Sequence, residues 1–190
     1  MELLLKNCRV WLTFIGVFSI FQTFSQSNTP CGGGGAPSIP VNAACVYTAA
    51  STVGLTQQTN GFNFGTPSCG SMGEDGWFSF TAPASGNVTI NTTSGTTTDL
   101  VMALYSSVPC DNVSWSQLAC DDDSGPGLMP TITQGALTPG QTYYIRMWDY
   151  GGGTGTFNIC VVENPPPPPC AGDIVVNSTL YSASGLTTCG

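Results

Sequence analysis

The sequence predicts an all-β protein, an antiparallel β-sandwich that contains no helix of note. Seven short apolar runs follow one another at close spacing in the central region, and several of them alternate apolar with polar residues. Alternation with a period of two places one set of side chains on each face of a strand. The segments between the runs are rich in Gly, Pro, Ser, Thr and Asp, which favour turns. Many short strands joined by turns are typical of a sandwich.

The first 25 residues are expected to be a signal peptide rather than part of the fold. Lys6 and Arg9 precede an apolar run, and Thr23 and Ser25 supply small side chains before a cleavage site after Ser25. The run is too short for a transmembrane helix. We therefore expect a secreted protein, extracellular or at the cell surface, with no membrane insertion.

Residues 26–163 are predicted to form the sandwich module, with its core in residues 73–163. The seven runs of the core are GWFSFTA, NVTINTT, DLVMALYSS, SQLACD, PTITQGAL, QTYYIRMWDY and GTFNICVVE. CVYTAAS and GFNF are expected to add one or two strands before them. Alternation within the runs indicates the following pairs and triplets of same-face residues: Val88 and Ile90; Leu100, Met102 and Leu104; Phe157, Ile159 and Val161.

A proline-rich linker is predicted at residues 164–170. It contains five consecutive prolines, which cannot donate to a β-ladder and form a stiff polyproline spacer. Residues 171–190 then carry Val-Asn, Tyr and Gly-Leu-Thr in the same order as the stretch from Val41 to Thr56. We interpret them as the start of a second, incomplete module, and we expect further covalently linked domains.

The charge balance excludes two classes of partner. Without residues 1–25, Arg146 is the single basic residue against ten acidic ones, so the net charge is 1 − 10 = −9. Nucleic acid and anionic membrane surfaces repel such a chain. The expected partner is therefore an extracellular polysaccharide or a protein surface.

Eight cysteines beyond Cys8 predict disulfide bonds in an exported chain. Cys110 and Cys120 flank one short loop and are the pair we predict first. Cys31–Cys45, Cys170–Cys189 and Cys69–Cys160 complete the predicted set. Zinc is disfavoured, because the chain has no CxxC motif and no histidine.

Several ordered motifs resemble one family. DGWFSFTAPASGNVTI, TDLVMALYSS, ACDDDSG and LTPGQTYYIRMWDYGGGTGTFNICV, in this order, are similar to the bacterial pre-peptidase C-terminal domain. The resemblance covers roughly residues 73–163. It implies a secreted, jelly-roll-like sandwich that is appended to extracellular peptidases and adhesins as an accessory module without catalytic activity. Some related collagen-binding domains bind calcium.

The chain is predicted not to be an enzyme. Without histidine it cannot build a Ser-His-Asp or Cys-His arrangement. We expect a non-catalytic accessory or binding module of a larger extracellular protein, which mediates adhesion or targeting to a substrate or surface. Two alternatives stay open: the N-terminal part of a secreted hydrolase, such as a peptidase, with its catalytic domain beyond residue 190, or a carbohydrate-binding module.

Trp148 and Tyr150 are the candidate ligand-binding residues. They lie beside a glycine-rich turn with Asp149 between them, where two aromatic rings could stack on a sugar or peptide. The competing interpretation is ordinary core packing, which accounts for most aromatic residues on strands.

Asp75, Asp99, Asp121 and Asp123 are the candidate metal ligands. Asp121, Asp123 and Gly125 follow the D-x-D-x-G spacing that begins a calcium loop, and Asp75 and Asp99 open two other runs. If the loops converge at one end of the sandwich, these carboxylates would form a site for a structural calcium ion. The competing interpretation is a set of solvated turn residues.

Overall fold

The computed structural model describes residues 35–57, 66–106, 116–166, 174–176 and 179–181. These residues form eleven strands and no helix, so none of them crosses a membrane as a helix. The strands are β1 (Val41–Asn42), β2 (Thr48–Ser51), β3 (Asp75–Thr81), β4 (Val88–Ser94), β5 (Leu100–Tyr105), β6 (Gln117–Asp121), β7 (Thr131–Gln134), β8 (Thr142–Asp149), β9 (Thr156–Glu163), β10 (Ile174–Val176) and β11 (Thr179–Tyr181).

Two sheets make the sandwich. The first has the order β2-β9-β4-β7, with β1 pairing in parallel to β9 on the same side as β2. The second has the order β3-β8-β5-β6. Most consecutive strands lie in opposite sheets, which is the connection pattern of a jelly roll. The predicted all-β sandwich is confirmed, and β10 and β11 form a separate hairpin.

The core between the sheets follows the predicted alternation. All eight of the predicted same-face residues are fully buried in one cluster, together with residues such as Phe78 and Phe80 of β3. Burial of each such aliphatic or aromatic side chain contributes about 1.5–3 kcal/mol. Phe78 also makes an edge-to-face contact with Phe157 across the core, with 6.1 Å between ring centroids.

The second sheet buries its outer face as well. A second cluster occupies this face, consisting of Trp77, Val101, Ala103, Tyr105 and Trp148, all 0 % exposed. Ala36, Cys69 and Met72 pack against it. Residues 66–74, which we call the strap, therefore lie over a sheet face that in a simple two-layer sandwich would face water.

The segment before β2 ties the two sheets together at their edges. Ile39 N donates to Ser79 O (2.7 Å) and Ser79 N donates to Pro37 O (2.9 Å), so this segment extends the second sheet beside β3. A few residues later, β1 pairs with β9 of the first sheet. One short stretch thus closes an edge of each layer.

The predicted disulfide pairing is wrong where the structure describes it. Cys120 is bonded to Cys69, not to Cys110, because the strap places Cys69 over the outer face of β6, with 5.8 Å between the two Cα atoms. Cys45 is bonded to Cys160, because the connection between β1 and β2 crosses β9 at that residue. This excludes both Cys31–Cys45 and Cys69–Cys160.

The other predictions on cysteines and early strands fall on residues that lie outside the described ranges. These residues are Cys31, Cys110, Cys170 and Cys189, and the run GFNF. The two observed bonds join residues 51 and 115 positions apart. Loops of this length give a chain-entropy stabilisation of about 4–5 kcal/mol per bond.

Disulfide mapping checks this pairing. Cleavage before aspartate places Cys110 and Cys120 in separate peptides, residues 99–110 and 111–120. Because Cys120 bonds Cys69, non-reducing mass spectrometry should find peptide 111–120 joined to the peptide that ends at Glu74. A bond between peptides 99–110 and 111–120 would contradict the structure.

Candidate functional site

Three loops meet at one end of the sandwich, residues 95–99, 122–130 and 150–155, and we call this surface the loop end. Asp99 connects the other two loops through its backbone. Its carbonyl accepts a hydrogen bond from Tyr150 N (3.1 Å), and it forms a parallel bridge with Leu128. Leu100 N donates to Leu128 O over 3.0 Å. The convergence expected from the sequence is therefore observed for these loops.

Carboxylates are concentrated around Asp99. Partial burial raises the pKa of this side chain above its ordinary value, and the negative charges of Asp123, Asp149 and Asp122 raise it further. Each of these three carboxylates is thus close enough to Asp99 to repel its charge. The predicted metal set did not include Asp122, which is the middle residue of the D-x-D spacing, or Asp149.

The side chain of Asp121 stabilises a turn, which differs from its predicted role as a metal ligand. Its carboxylate accepts hydrogen bonds from Ser124 N (3.2 Å), from Ser124 Oγ and from Thr131 N (2.8 Å). These bonds fix the turn after β6 and the start of β7. Gly125 is required in the same turn, because a Cβ there would lie 2.5 Å from Met129 O. The D-x-D-x-G spacing therefore builds a turn through its first aspartate.

Asp149 fixes the third loop in the same way. One oxygen of its carboxylate accepts from Gly151 N (2.9 Å) and Gly153 N (3.2 Å). The glycine run that follows β8 is thereby held against its end. Since Asp149 pairs with Leu100 at the start of β5, its charge also lies next to Asp99.

Asp75 is directed away from the loop end. It is fully buried, and its carboxylate accepts a hydrogen bond from Arg146 Nε at 2.8 Å. The predicted ligand set of Asp75, Asp99, Asp121 and Asp123 is therefore not assembled. Among the described residues, no three His, Cys, Asp or Glu side chains are arranged to hold a metal ion.

Trp148 is also buried, which contradicts its predicted role as an exposed stacking surface. Alternation along β8 places Met147 in the inner core and Trp148 in the outer-face cluster, where neither face of the indole meets solvent. Tyr150 is 47 % exposed at the loop end. The two rings therefore do not form one platform, and ligand binding by Tyr150 stays a prediction.

The outer-face cluster also buries Arg146. This residue is 2 % exposed, and its Cζ lies 5.2 Å from the centroid of the Trp77 ring. A guanidinium over an indole gains a cation–π attraction in addition to its ion pair. Burial raises the pKa of the neighbouring Tyr105 hydroxyl, and the charge of Arg146 partly opposes that increase. Arg146 is therefore a buried structural residue and contributes no positive charge to the surface.

The loop end presents two apolar side chains beside its acids. Tyr150 and Leu128, which is 49 % exposed, flank Asp99 on opposite sides through the backbone contacts described above. Sequence reasoning missed Leu128, because an isolated leucine after a Gly-Pro-Gly turn carries no periodic signal. The arrangement offers an acidic surface with two apolar contacts.

The family comparison agrees with this architecture. Residues 76–147 match the sequence profile of the bacterial pre-peptidase C-terminal domain. This stretch of the chain is therefore similar to that domain family. Pre-peptidase C-terminal domains are non-catalytic accessory domains of secreted peptidases, and they occur within larger proteins. The disulfide bonds observed here are likewise typical of secreted proteins.

Solved structures give weaker similarities. The pre-peptidase C-terminal domain of the collagenase from Bacillus anthracis has 14 % identity and a TM-score of 0.43, covering 69 % of this chain and 98 % of that one. A periplasmic inhibitor of g-type lysozyme from Aeromonas hydrophila has 12 % identity and a TM-score of 0.39, covering 66 % and 95 %. The mitogen from Yersinia pseudotuberculosis has 7 % identity and a TM-score of 0.40, covering 77 % and 97 %. No curated protein gives a significant match.

The buried ion pair predicts a strong, reciprocal effect of mutation. Asp75→Leu leaves the Arg146 charge buried without its partner, which should lower the free energy of unfolding by about 3–5 kcal/mol. The double variant Asp75→Leu/Arg146→Met removes both charges and should recover most of that loss. Urea denaturation measures both, with Asp122→Asn as a surface control. A single variant as stable as this control would show that the pair is unimportant.

The repulsion at Asp99 predicts that neutralising this side chain stabilises the fold, and that the size of the effect depends on pH. The pKa of Asp99 is higher in the folded state than in the unfolded state, so its negative charge destabilises the fold at neutral pH. As the pH falls through the folded-state pKa toward the unfolded value of 3.8, the side chain is protonated and this loss of stability disappears. Asp99→Asn should therefore melt at a higher temperature than the wild type at pH 7, in chelator and low salt. The difference should shrink with added salt and vanish near pH 3. A pH-independent difference would contradict a charge effect.

Proposed function

We propose that this domain is the accessory binding module of a larger extracellular protein, and that it attaches that protein to a protein surface through its loop end. The observation that carries the proposal is the pairing of exposed Tyr150 and Leu128 with the carboxylates around Asp99. Exposed apolar side chains surrounded by charge are typical of interaction sites. Aromatic residues are also enriched where partners bind.

The charge of the loop end selects the kind of partner. Asp99, Asp122, Asp123 and Asp149 make this surface negative, and the one cation of the module, Arg146, is buried elsewhere. Complementary charge increases the rate of association and excludes partners of like sign. The partner that fits is therefore a polypeptide surface bearing Lys or Arg next to apolar groups.

A protein surface is favoured over a neutral polysaccharide for a structural reason. Sugar binding was predicted from two adjacent aromatic rings, and the burial of Trp148 leaves only Tyr150 of that pair in contact with solvent. A single half-exposed ring provides little stacking area for a chain of sugars. The proposed role is thus adhesion or targeting by electrostatic and apolar contact.

Calcium is proposed as a stabiliser of the loop end, with a donor set that differs from the one predicted. Asp123 and Asp149 repel the charge of Asp99, and the hydrogen bonds of Asp149 use its Oδ1. Asp75 is buried in its ion pair, and both oxygens of Asp121 accept hydrogen bonds. The three groups would have to move toward a bound ion, since the described residues form no ready site. A divalent cation would relieve their repulsion and stabilise the module by mass action.

The binding proposal is tested on arrays of extracellular proteins and polysaccharides. The chain should bind basic proteins, and Tyr150→Ala and Asp123→Asn should each weaken that binding at least several-fold. Tyr47→Ala is the matched control, because Tyr47 is also 47 % exposed but lies in the connection between β1 and β2. Binding should decrease as salt increases. Binding to neutral polysaccharides alone, or equal losses in both tyrosine variants, would contradict the proposal.

Thermal melting tests calcium separately. At a calcium concentration ten times the dissociation constant, the wild type should gain about 1.4 kcal/mol relative to chelator. Asp99→Asn should lose this response, whereas Asp75 variants are uninformative because Asp75 stabilises the fold directly. Equal melting temperatures of the wild type in calcium and in chelator would show that these aspartates belong to ordinary solvated turns.

A further inference from the structure

The outer face of the β3-β8-β5-β6 sheet carries groups that a structural core does not need. Trp77, Tyr105 and Trp148 lie on it side by side with the Arg146–Asp75 ion pair, and the rings of Trp77 and Tyr105 are 5.4 Å apart. The Nε1 donor of Trp148 is buried and has no hydrogen-bond partner among the described residues. An unpartnered donor inside a cluster of aromatic rings is unfavourable in a closed core. It would be satisfied if the face met water or a ligand that carries an acceptor.

The strap covers this face without being part of the sheet. Residues 66–74 form no strand, and Gly70 lies so close to Val101 that an added Cβ would be 2.8 Å from its Cγ2. Ser68 N donates a hydrogen bond to Gln117 Oε1 (3.1 Å), Gln117 Nε2 donates to Ser68 Oγ, and Cys120 Sγ lies 3.8 Å from Cys69 O. Met72 and Cys69 pack against the cluster, and the Cys69–Cys120 disulfide attaches the strap covalently to β6. At its other end the strap continues into β3.

The inner core lies on the other side of the sheet from this attachment. The main cluster, which contains Phe78, Met102 and Met147, lies on the opposite face of the same strands. The second disulfide, Cys45–Cys160, joins the β1–β2 connection to β9 in the other sheet. The strap and the jelly roll are thus held by separate contacts.

We propose that the strap is a disulfide-fastened cover, and that breaking Cys69–Cys120 uncovers the aromatic face as a second binding surface while the jelly roll stays folded. The uncovered face would take a planar ring that stacks on Trp77 or Trp148 and carries an acceptor for Trp148 Nε1. This surface is independent of the loop end and of its proposed role.

The chemistry requires a dithiol as reductant. A thiolate of the dithiol attacks one sulfur of the bond and forms a mixed disulfide, and its second thiol then displaces the cysteine. Two electrons and two protons pass to the Sγ atoms of Cys69 and Cys120, which become thiols, and the dithiol becomes a disulfide. Reoxidation of the two cysteines would fasten the strap again.

Hydroxyl-radical footprinting with mass spectrometry tests the proposal residue by residue. Met147 and Trp148 are neighbours in sequence on opposite faces of β8, so each reports one face. In Cys69→Ser/Cys120→Ser, oxidation of Trp77 and Trp148 should increase by about tenfold through local opening, while Met102 and Met147 remain protected. Cys45→Ser/Cys160→Ser is the matched control and should leave Trp77 and Trp148 protected.

The wild-type chain provides a second measurement that does not depend on the folding of a variant. Dithiothreitol should produce the same selective increase, together with binding of the probe 1-anilinonaphthalene-8-sulfonate, and reoxidation should reverse both. Protection of Trp77 and Trp148 after Cys69–Cys120 is broken would overturn the proposal. Equal oxidation of Met147 and Trp148 would also overturn it, because it would show unfolding of the whole module.

Discussion

In β5, from Leu100 to Tyr105, all six side chains are withdrawn from water. A strand of a two-layer sandwich normally buries every second residue, so the sheet that contains β5 needs a cover on its outer face as well as a partner on its inner face. The strap and Ala36 supply that cover. This constraint explains the position of Cys69, the burial of Trp148 and the placement of Arg146 and Asp75 as an internal pair.

The apolar pattern was sufficient to predict the sheets but not the irregular segments that pack against them. Val88, Ile90 and the other alternating residues face the core as expected, because one-face burial produces a period of two. Trp148 lies beside a glycine-rich turn in the sequence, and it is internal because the strap and Ala36 pack against its cluster. Cys120 is likewise bonded to Cys69, which lies in a segment without a periodic apolar pattern. Contacts made by irregular segments leave no signal in the sequence, and this is where prediction failed.

The aspartates show how one residue type is distributed over three physical roles. Asp75 is stabilised by a buried cation, Asp121 and Asp149 by backbone amides of tight turns, and Asp99 by neither. Clustering in the sequence suggested one site for all of them. The structure instead places Asp122, Asp123 and Asp149 near enough to Asp99 to repel its charge, so this end is where negative charge is available for a partner.

The burial of Arg146 also affects the susceptibility of the module to proteolysis. Proteases of the trypsin type cleave after Lys or Arg, and beyond Arg9 the chain contains no such residue except Arg146. That residue lies in the interior of β8, paired on both sides by other strands, and cannot enter a protease active site without the sheet opening. The folded module is therefore inert to this class of enzyme. Resistance of this kind follows directly from the use of Arg146, the one basic residue beyond Arg9, as a structural group.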